Sequence, residues 1–157
     1  MTDIYEQAND KLNNFIKNDI LTYSKNRNYD YGPKNRSNVS HLSKYITHRV
    51  INEYDVINLA LSEYSLTKIE KYVQEVFWRV YWKGWLEHRP QVWSDYYEYS
   101  NNNSNSEAYK KAIEGTTGIV CFDNWVEELV NENYLHNHTR MWFASIWIFT
   151  LNLPWQL

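Results

Sequence analysis

Apolar side chains recur at three- and four-residue steps through most of the chain, which is the period of an α-helix with one buried face. In residues 2–24 these positions are Ile4, Ala8, Leu12, Phe15, Ile16 and Ile20. The same pattern predicts further helices at residues 40–49, 52–62, 65–88, 107–114, 120–132 and 136–151. No long segment alternates apolar and polar residues, so the sequence predicts an all-α fold.

Polar segments separate these helices and supply their ends. Ser40 is the expected N-cap of the second helix, and Ser65, or alternatively Thr67, that of the fourth. Residues 25–38 and 90–106 are rich in turn-forming and polar residues and are predicted to be loops. The chain has 157 residues and no visible internal repeat, so we expect one domain or a piece of one.

Composition narrows the function classes. Aromatic residues make up 17% of the chain, although its mean hydropathy is only -0.69. The single cysteine excludes a disulfide scaffold and a cysteine-based zinc site. No apolar run reaches the roughly 18 residues of a membrane span, and the N-terminus lacks an apolar signal region. We therefore expect a cytoplasmic protein, whose net charge of -3 argues against indiscriminate nucleic-acid binding but permits a local basic site.

The predicted helix 65–88 carries two side-chain stripes. One is an ordinary core face, formed by Ile69, Tyr72, Val73, Val76, Phe77 and Val80. The other combines charges with rings, in Glu75, Trp78, Arg79 and Trp82. A surface rarely carries two tryptophans and a core rarely carries Arg and Glu, so this stripe suits a cavity wall. Spacing alone favours the alternative, a surface ion pair between Glu75 and Arg79 beside a buried ring.

Residues 37–43 offer serine hydroxyls and free backbone N–H groups at a helix start, an arrangement that suits a phosphate or another anion. Most helix starts of this kind are only caps, and that alternative stays open. A basic run passes through the same segment, formed by Lys34, Arg36, His41, Lys44, His48 and Arg49. It also suits phosphate groups, although a solvated face is the ordinary interpretation of such a run.

One face of the predicted helix 136–151 carries Asn137, Arg140, Met141 and Ala144. These side chains suit a pocket that offers hydrogen bonds on one side and apolar contact on the other. The alternative is a plain helix start with Asn137 as its cap. His136 and His138 lie two positions apart and project to different faces of a helix, so we predict no metal site.

Four motifs in one order resemble the C-terminal FAD-binding domain of DNA photolyases and cryptochromes. They are Ser40-His-Leu-Ser43, Glu75-Val-Phe-Trp-Arg79, Gly115-Thr-Thr-Gly118 with Asp123, and His136-Asn-His-Thr-Arg-Met141, with Trp155 following at the expected distance. The resemblance runs from about residue 23 to residue 157. It implies that the whole chain, 1–157, is part of an all-α domain that holds FAD in a U-shaped conformation.

The resemblance also implies roles for individual residues. Those expected to contact FAD are Tyr23, Ser40, Leu42, Ser43, Arg79, Asn137 and Arg140. Those expected to face a flipped-out pyrimidine dimer are Glu75, Trp78, Asn137 and Met141. Trp78 would stack on the damaged bases, and the carboxyl of Glu75 would stabilise the dimer radical anion. Trp155 would be the middle member of the tryptophan chain that photoreduces the flavin, with the outer member near Tyr99.

The chain departs from the family pattern in several places. His138 and Glu127 stand where basic residues are usual, and Val39 stands where a hydroxyl residue is common. The family's N-terminal antenna domain has no counterpart here, so no antenna pigment is expected. The chain ends directly after an apolar segment, which suggests a flavin domain truncated at its C-terminus. These departures weaken the DNA-repair interpretation more than the flavin interpretation.

Three hypotheses follow. The first is light-driven, FAD-dependent repair of pyrimidine dimers, with damaged DNA as the partner and an electron from excited reduced flavin as the agent. The second is a cryptochrome-like flavin photoreceptor that acts through a protein partner without repair. The third is a helical protein whose aromatic residues only fill its core. Retention of Glu75, Trp78 and Met141 favours the first hypothesis over the second.

Overall fold

The computed structural model describes residues 3–103 and 106–157, except for the side chains of residues 101–103. Within these residues every regular element is helical, which confirms the all-α prediction. The elements are α1 Ile4–Asn18, α2 Ile20–Asn26, α3 Ser43–Thr47, α4 Glu53–Glu63, α5 Leu66–Glu87, α6 Pro90–Asn103, α7 Glu107–Glu114, α8 Val120–Glu132, α9 Asn137–Ser145 and a π-helical turn, Ile146–Thr150. None of the helices in the described residues is both long and apolar enough to cross a bilayer.

The first of two compact units comprises Met1–Tyr29 and Asn35–His88 and contains α1 to α5. Every predicted apolar position of the first segment except Ile4 is buried in its core. The buried core consists of Ala8, Leu12, Phe15, Ile16, Ile20, Leu42, Tyr45, Ile46, Ile51, Val56, Ala60, Ile69, Tyr72, Val73 and Val76. Helix α5 packs against α2 and α4, so its position is set by the same core that the periodicity predicts.

The second unit comprises Asp30–Lys34 and Arg89–Leu157 and contains α6 to α9 with the π-helical turn. Its core is smaller and largely aromatic. The rings of Phe122 and Phe143 stack with centroids 4.4 Å apart. Trp147, which lies in the π-helical turn, packs on the same cluster and donates its indole N–H to the carbonyl of Pro154 at 2.8 Å. This bond fixes the chain that follows the last helical turn.

Two predicted helix boundaries are wrong in the first unit. The helix predicted over residues 2–24 breaks at Asp19, which separates α1 from α2. The helix predicted from Ser40 begins instead at Ser43, with Leu42 at the N-cap position and no side-chain cap. His41 adopts a left-handed φ of 52°, which does not continue a right-handed helix and so delays the helix start. Ser65, by contrast, lies at the predicted N-cap of α5.

The predicted loop 90–106 is also wrong, because α6 occupies most of it. Pro90 takes the first helical position, where its fixed φ and missing N–H cost nothing. Inside the helix, Gln91 donates to Asp95 at 2.6 Å, across the i,i+4 spacing that stabilises helices. The polar composition of the segment concealed this periodicity. Residues 104–105, within the same predicted loop, lie outside the described residues.

Candidate functional site

Tyr72 of α5 organises one group of the predicted flavin residues. Its hydroxyl is hydrogen-bonded to Ser40, and burial raises its pKa well above the ordinary value. The ring of Tyr23 meets the ring of Tyr72 edge-to-face, with centroids 5.1 Å apart. Tyr23 and Ser40, both expected to contact FAD, are therefore brought together around Tyr72. Leu42 is buried in the core, whereas Ser43 is exposed at the first position of α3.

Glu75 does not pair with Arg79, so the surface-pair interpretation of their spacing is wrong. Its Oε1 lies 2.8 Å from a guanidinium nitrogen of Arg27 and 3.4 Å from the ammonium of Lys71. The Glu75 side chain is 28% exposed. A carboxylate that is oriented by two cations and still reaches solvent is open to a ligand. Arg27 was not identified as a partner from the sequence, because the contact joins two helices.

Arg79 is held on two sides by neighbouring elements. Its Nη2 donates to the hydroxyl of Thr47 at 2.5 Å. Its Nε lies 3.4 Å from Oε1 of Glu53, an ion-pair distance, but is buried without a hydrogen-bond acceptor. The arginine that is expected to support the flavin phosphates is thus positioned by Thr47 of α3 and Glu53 of α4.

Glu53 is the carboxylate at the centre of this ion cluster. Lys83 reaches its Oε1 at 3.1 Å and Arg49 its Oε2 at 3.5 Å, in addition to the Arg79 contact. Burial raises the pKa of Glu53, but hydrogen bonds from its own N–H and from Lys83, with the charges of Lys83 and Arg49, outweigh burial and lower it. No local pattern indicates this cluster, since Arg79 and Lys83 lie far along the chain from Arg49 and Glu53.

The C-terminal half of α5 presents a series of exposed rings. Trp78 is 50% exposed and stacks on Trp82, with centroids 6.4 Å apart and an interplanar angle of 25°. Tyr81 packs on both tryptophans at 5.5 and 5.3 Å. Phe77 and Val80, predicted to be core residues, are also exposed, because the buried positions of α5 end at Val76. The charged and aromatic stripe therefore lies on an open surface.

The predicted face of α9 is open as well. Asn137, Arg140 and Met141 are all exposed, and Arg140 donates to the Asn137 side-chain oxygen at 3.4 Å. The alternative in which Asn137 caps the helix is wrong. His136 is the N-cap, and its Nδ1 accepts the backbone N–H of His138 at 3.3 Å. Among the described residues no three metal-binding side chains form a group.

Trp155 is the first of three aromatic rings that contact one another in a row within the second unit. Its ring stacks on Tyr96 with centroids 6.4 Å apart, and Tyr96 in turn lies 5.6 Å from Trp93. Trp93 is 67% exposed, so this row of rings reaches solvent. The sequence placed the outer partner near Tyr99, whereas the ring against Trp155 is that of Tyr96, one helical turn earlier. Because this segment was expected to be a loop, the helical spacing that places Tyr96 against Trp155 could not be predicted.

The predicted site residues divide between the two units. The first unit carries Tyr23, Ser40, Leu42, Ser43, Glu75, Trp78 and Arg79. The second unit carries Asn137, Arg140, Met141 and Trp155. All eight tryptophans lie in the described part of the chain, and Trp147 alone among them is buried, so the hypothesis that these rings merely fill the core does not hold for the tryptophans.

The family model for the FAD binding domain of DNA photolyase matches residues 72–157. The deoxyribodipyrimidine photo-lyase of Alkalihalophilus pseudofirmus is 26% identical over 97% of this chain and 32% of its own length. The corresponding protein of Agrobacterium fabrum is 26% identical over 95% of this chain and 32% of its own length. That of Streptomyces griseus is 27% identical over 74% of this chain and 26% of its own length.

The chain thus spans about a third of the length of the first two of these relatives. No solved structure shows a significant match to it. The matched residues include Glu75, Trp78 and Arg79 of α5 and the whole of α9. Because the family model covers more than half of the residues, the chain belongs to the family of FAD-binding domains of DNA photolyases.

Proposed function

We propose that the chain is the flavin-binding and lesion-contacting part of an enzyme that repairs pyrimidine dimers in DNA with light. The observation that carries this proposal is the open face of α5, where the carboxylate of Glu75 and the ring of Trp78 both reach solvent. An acid beside an exposed aromatic ring suits a flipped-out pyrimidine dimer, which offers ring faces and polar edges.

The described residues fit FAD. The guanidinium of Arg79 is held by Thr47 and Glu53, and its side chain is still 28% exposed, which suits contact with a phosphate oxygen. The residues that would hold the cofactor are Tyr23, Ser40, Leu42, Ser43, Arg79, Asn137 and Arg140, with Leu42 limited to its backbone because its side chain is in the core. When bound, FAD supplies the absorption of light and the electron that splits the dimer.

The side chains of this chain supply binding and orientation. Trp78 stacks on a flipped-out base, an interaction worth about 1–3 kcal/mol per base. Glu75, kept in place by Arg27 and Lys71, accepts or shares a hydrogen bond with the lesion. Met141 and Asn137 offer apolar contact and hydrogen bonds from the exposed face of α9.

Replacement of Trp78 by Ala tests the lesion contact. We expect the full-length protein to bind FAD, to restore dimer-containing oligonucleotides under blue light, and to lose about tenfold in affinity for the damaged strand in Trp78→Ala. The matched control is Trp142→Ala, since Trp142 is exposed and has no proposed role. Binding of damaged strands would be measured by fluorescence anisotropy. Equal affinities for the two variants would contradict the role of Trp78.

The second candidate is a flavin photoreceptor that acts through a protein partner. It is favoured by Glu127, an exposed acid at a position where the family usually has a basic residue, and by the acidic isoelectric point near 5.9. Both features weaken attraction to a DNA backbone. Flavin bound in the full-length protein with no repair of dimers under blue light would select this function. Absence of flavin would exclude both candidates.

A further inference from the structure

The ion cluster around Glu53 has more positive than negative charge. Arg49, Arg79 and Lys83 all approach this one carboxylate, at 3.5, 3.4 and 3.1 Å. In the part of the chain that the structure describes, these three cations pair with no other acid. Three positive charges against one negative charge leave the cluster with a formal excess of +2. Lys83 is only 36% exposed and Arg79 28%, so solvent screens this excess incompletely.

Arg49 occupies a backbone position that favours glycine. Its φ is 58°, and it follows the C-cap of α3. The N–H of Arg49 bonds to the carbonyl of Ile46, and the N–H of Val50 bonds to the carbonyl of Tyr45. This is the Schellman arrangement, in which the left-handed residue is usually Gly. An arginine there costs stability, and its ion pair with Glu53 is long, at 3.5 Å, with an arginine side chain that is 65% exposed, so it returns little of that cost.

Arg79 adds unused donor capacity to the same cluster. Its Nη2 is bonded to Thr47 and its buried Nε lies against Glu53, which leaves Nη1 without a partner among the described residues. Guanidinium and ammonium groups that converge with spare N–H donors match the several acceptor oxygens of a phosphate. Arg49, with a side chain that is 65% exposed, leaves the cluster accessible from solvent.

We propose that Arg49, Arg79 and Lys83 form a phosphate-binding site, with Glu53 as the residue that orients their side chains. The ligand is a phosphate group, which either a flavin dinucleotide or a nucleic-acid backbone supplies. Of these three cations, the resemblance implied phosphate contact by Arg79 alone. The proposed site adds Arg49 and Lys83 to it. Its existence does not depend on the proposed function, although the flavin source does.

Titration of the full-length protein with inorganic pyrophosphate tests the site directly. Lys83→Met should weaken pyrophosphate binding about tenfold, as expected for the loss of one charge-assisted contact. The matched control is Lys68→Met, which removes the same charge from an exposed position of α5 and should change the affinity little. Affinities would be measured by calorimetry at low salt. Equal effects of the two substitutions would overturn the proposal.

Arg49→Gly separates a binding role from a structural one. Glycine relieves the left-handed strain, so the melting temperature should rise by about 2–4 °C. Pyrophosphate affinity should fall at the same time, by several-fold. Unchanged affinity in the more stable variant would refute a role for Arg49. Glu53→Gln is the converse test, because the amide oxygen of Gln can still accept hydrogen bonds from the cations while the negative charge is lost. Pyrophosphate binding by the folded variant should therefore tighten, and weaker binding would count against the site.

Two further binding experiments, one with flavins and one with an oligonucleotide, identify the source of the phosphate. If it belongs to the cofactor, Lys83→Met weakens FAD binding but not binding of riboflavin, which lacks phosphate. If it belongs to nucleic acid, the same variant weakens binding of an undamaged oligonucleotide and lowers its salt dependence. A full-length protein that binds pyrophosphate through Lys83 but takes up no flavin would retain this site and remove the proposed function.

Discussion

Asp123 closes the corner between α7 and α8. Its carboxylate accepts hydrogen bonds from the Thr117 hydroxyl at 2.7 Å, the Thr117 N–H at 3.0 Å and the Gly118 N–H at 2.9 Å. The Thr117 hydroxyl is the main cause of a lowered pKa for Asp123, with the two backbone bonds acting in the same direction against a smaller effect of desolvation. The Gly-Thr-Thr-Gly motif is thus a structural corner that precedes the aromatic core of the second unit.

Asp123→Asn should therefore make the protein less dependent on pH. Since the folded-state pKa of Asp123 lies below its ordinary value of 3.8, its bonds contribute stability above that value and lose it as the pH falls through the folded-state pKa. The substitution removes the contribution at pH 7 and changes little in strong acid. Urea denaturation midpoints of the unsubstituted protein and the variant, at pH 7 and in strong acid, measure this difference. Glu127→Gln, on the same helix, is the control, and the same pH response in both variants would be contrary to the assignment.

At the scale of the elements, α5 is the helix on which the largest number of the proposed functional residues meet. Its N-terminal half is packed through Ile69, Tyr72, Val73 and Val76, and its C-terminal half carries the exposed rings. Gly84 lies inside that second half, and a Cβ atom added there meets nothing within 4 Å. Glycine in a helix interior costs stability because it loses more backbone freedom on folding than alanine does.

Gly84→Ala should stabilise the protein by about 0.5–1 kcal/mol. The measurement is the free energy of unfolding from urea denaturation of the full-length protein. Ser94→Gly compared with Ser94→Ala is a matched pair on α6, where glycine should cost about 1 kcal/mol relative to alanine. Destabilisation by Gly84→Ala would contradict the open surroundings of Gly84.

Helices α5 and α6 show which parts of the fold can be predicted from the sequence and which cannot. The span and buried face of α5 follow from its apolar period, because local spacing determines which side of a helix enters a core. Phe77 and Val80 continue that period and are nevertheless exposed, since exposure depends on where the partners α2 and α4 end. Helix α6 was missed because its rings and polar residues carry little hydrophobic signal. The partners of Glu75 and Arg79 come from other segments, and no local pattern contains them.

At the scale of the molecule, the chain folds around two separate cores, and most of its tryptophans lie outside both. Burial is the usual use of so large an apolar side chain. The rings on α5 are instead exposed, and Trp155, Tyr96 and Trp93 form a row of contacting rings. Under the proposed function, the first set contacts bases and the second carries electrons. In the proposed photolyase, Tyr96 is therefore a better outer partner for Trp155 than a residue at position 99.

Tyr96→Phe tests this assignment. Phenylalanine keeps the stacked ring but is much harder to oxidise, so light-driven reduction of bound flavin in the presence of a thiol should slow several-fold. Transient absorption after a blue flash is the measurement, and Tyr99→Phe is the control. If Tyr99→Phe slowed the reduction and Tyr96→Phe did not, the outer partner would lie at position 99.

The π-helical turn at Ile146–Thr150 has a consequence for sequence change in this family. Such a turn holds one residue more than the α-helix it interrupts, so it behaves as an accommodated insertion. Deletion of a single residue there would allow α9 to run on without interruption, but it would rotate everything downstream by about 100°. Trp155 would then leave the ring of Tyr96. A one-residue deletion in this segment should therefore disturb the Trp155–Tyr96 contact more than substitution of an exposed side chain such as Phe149.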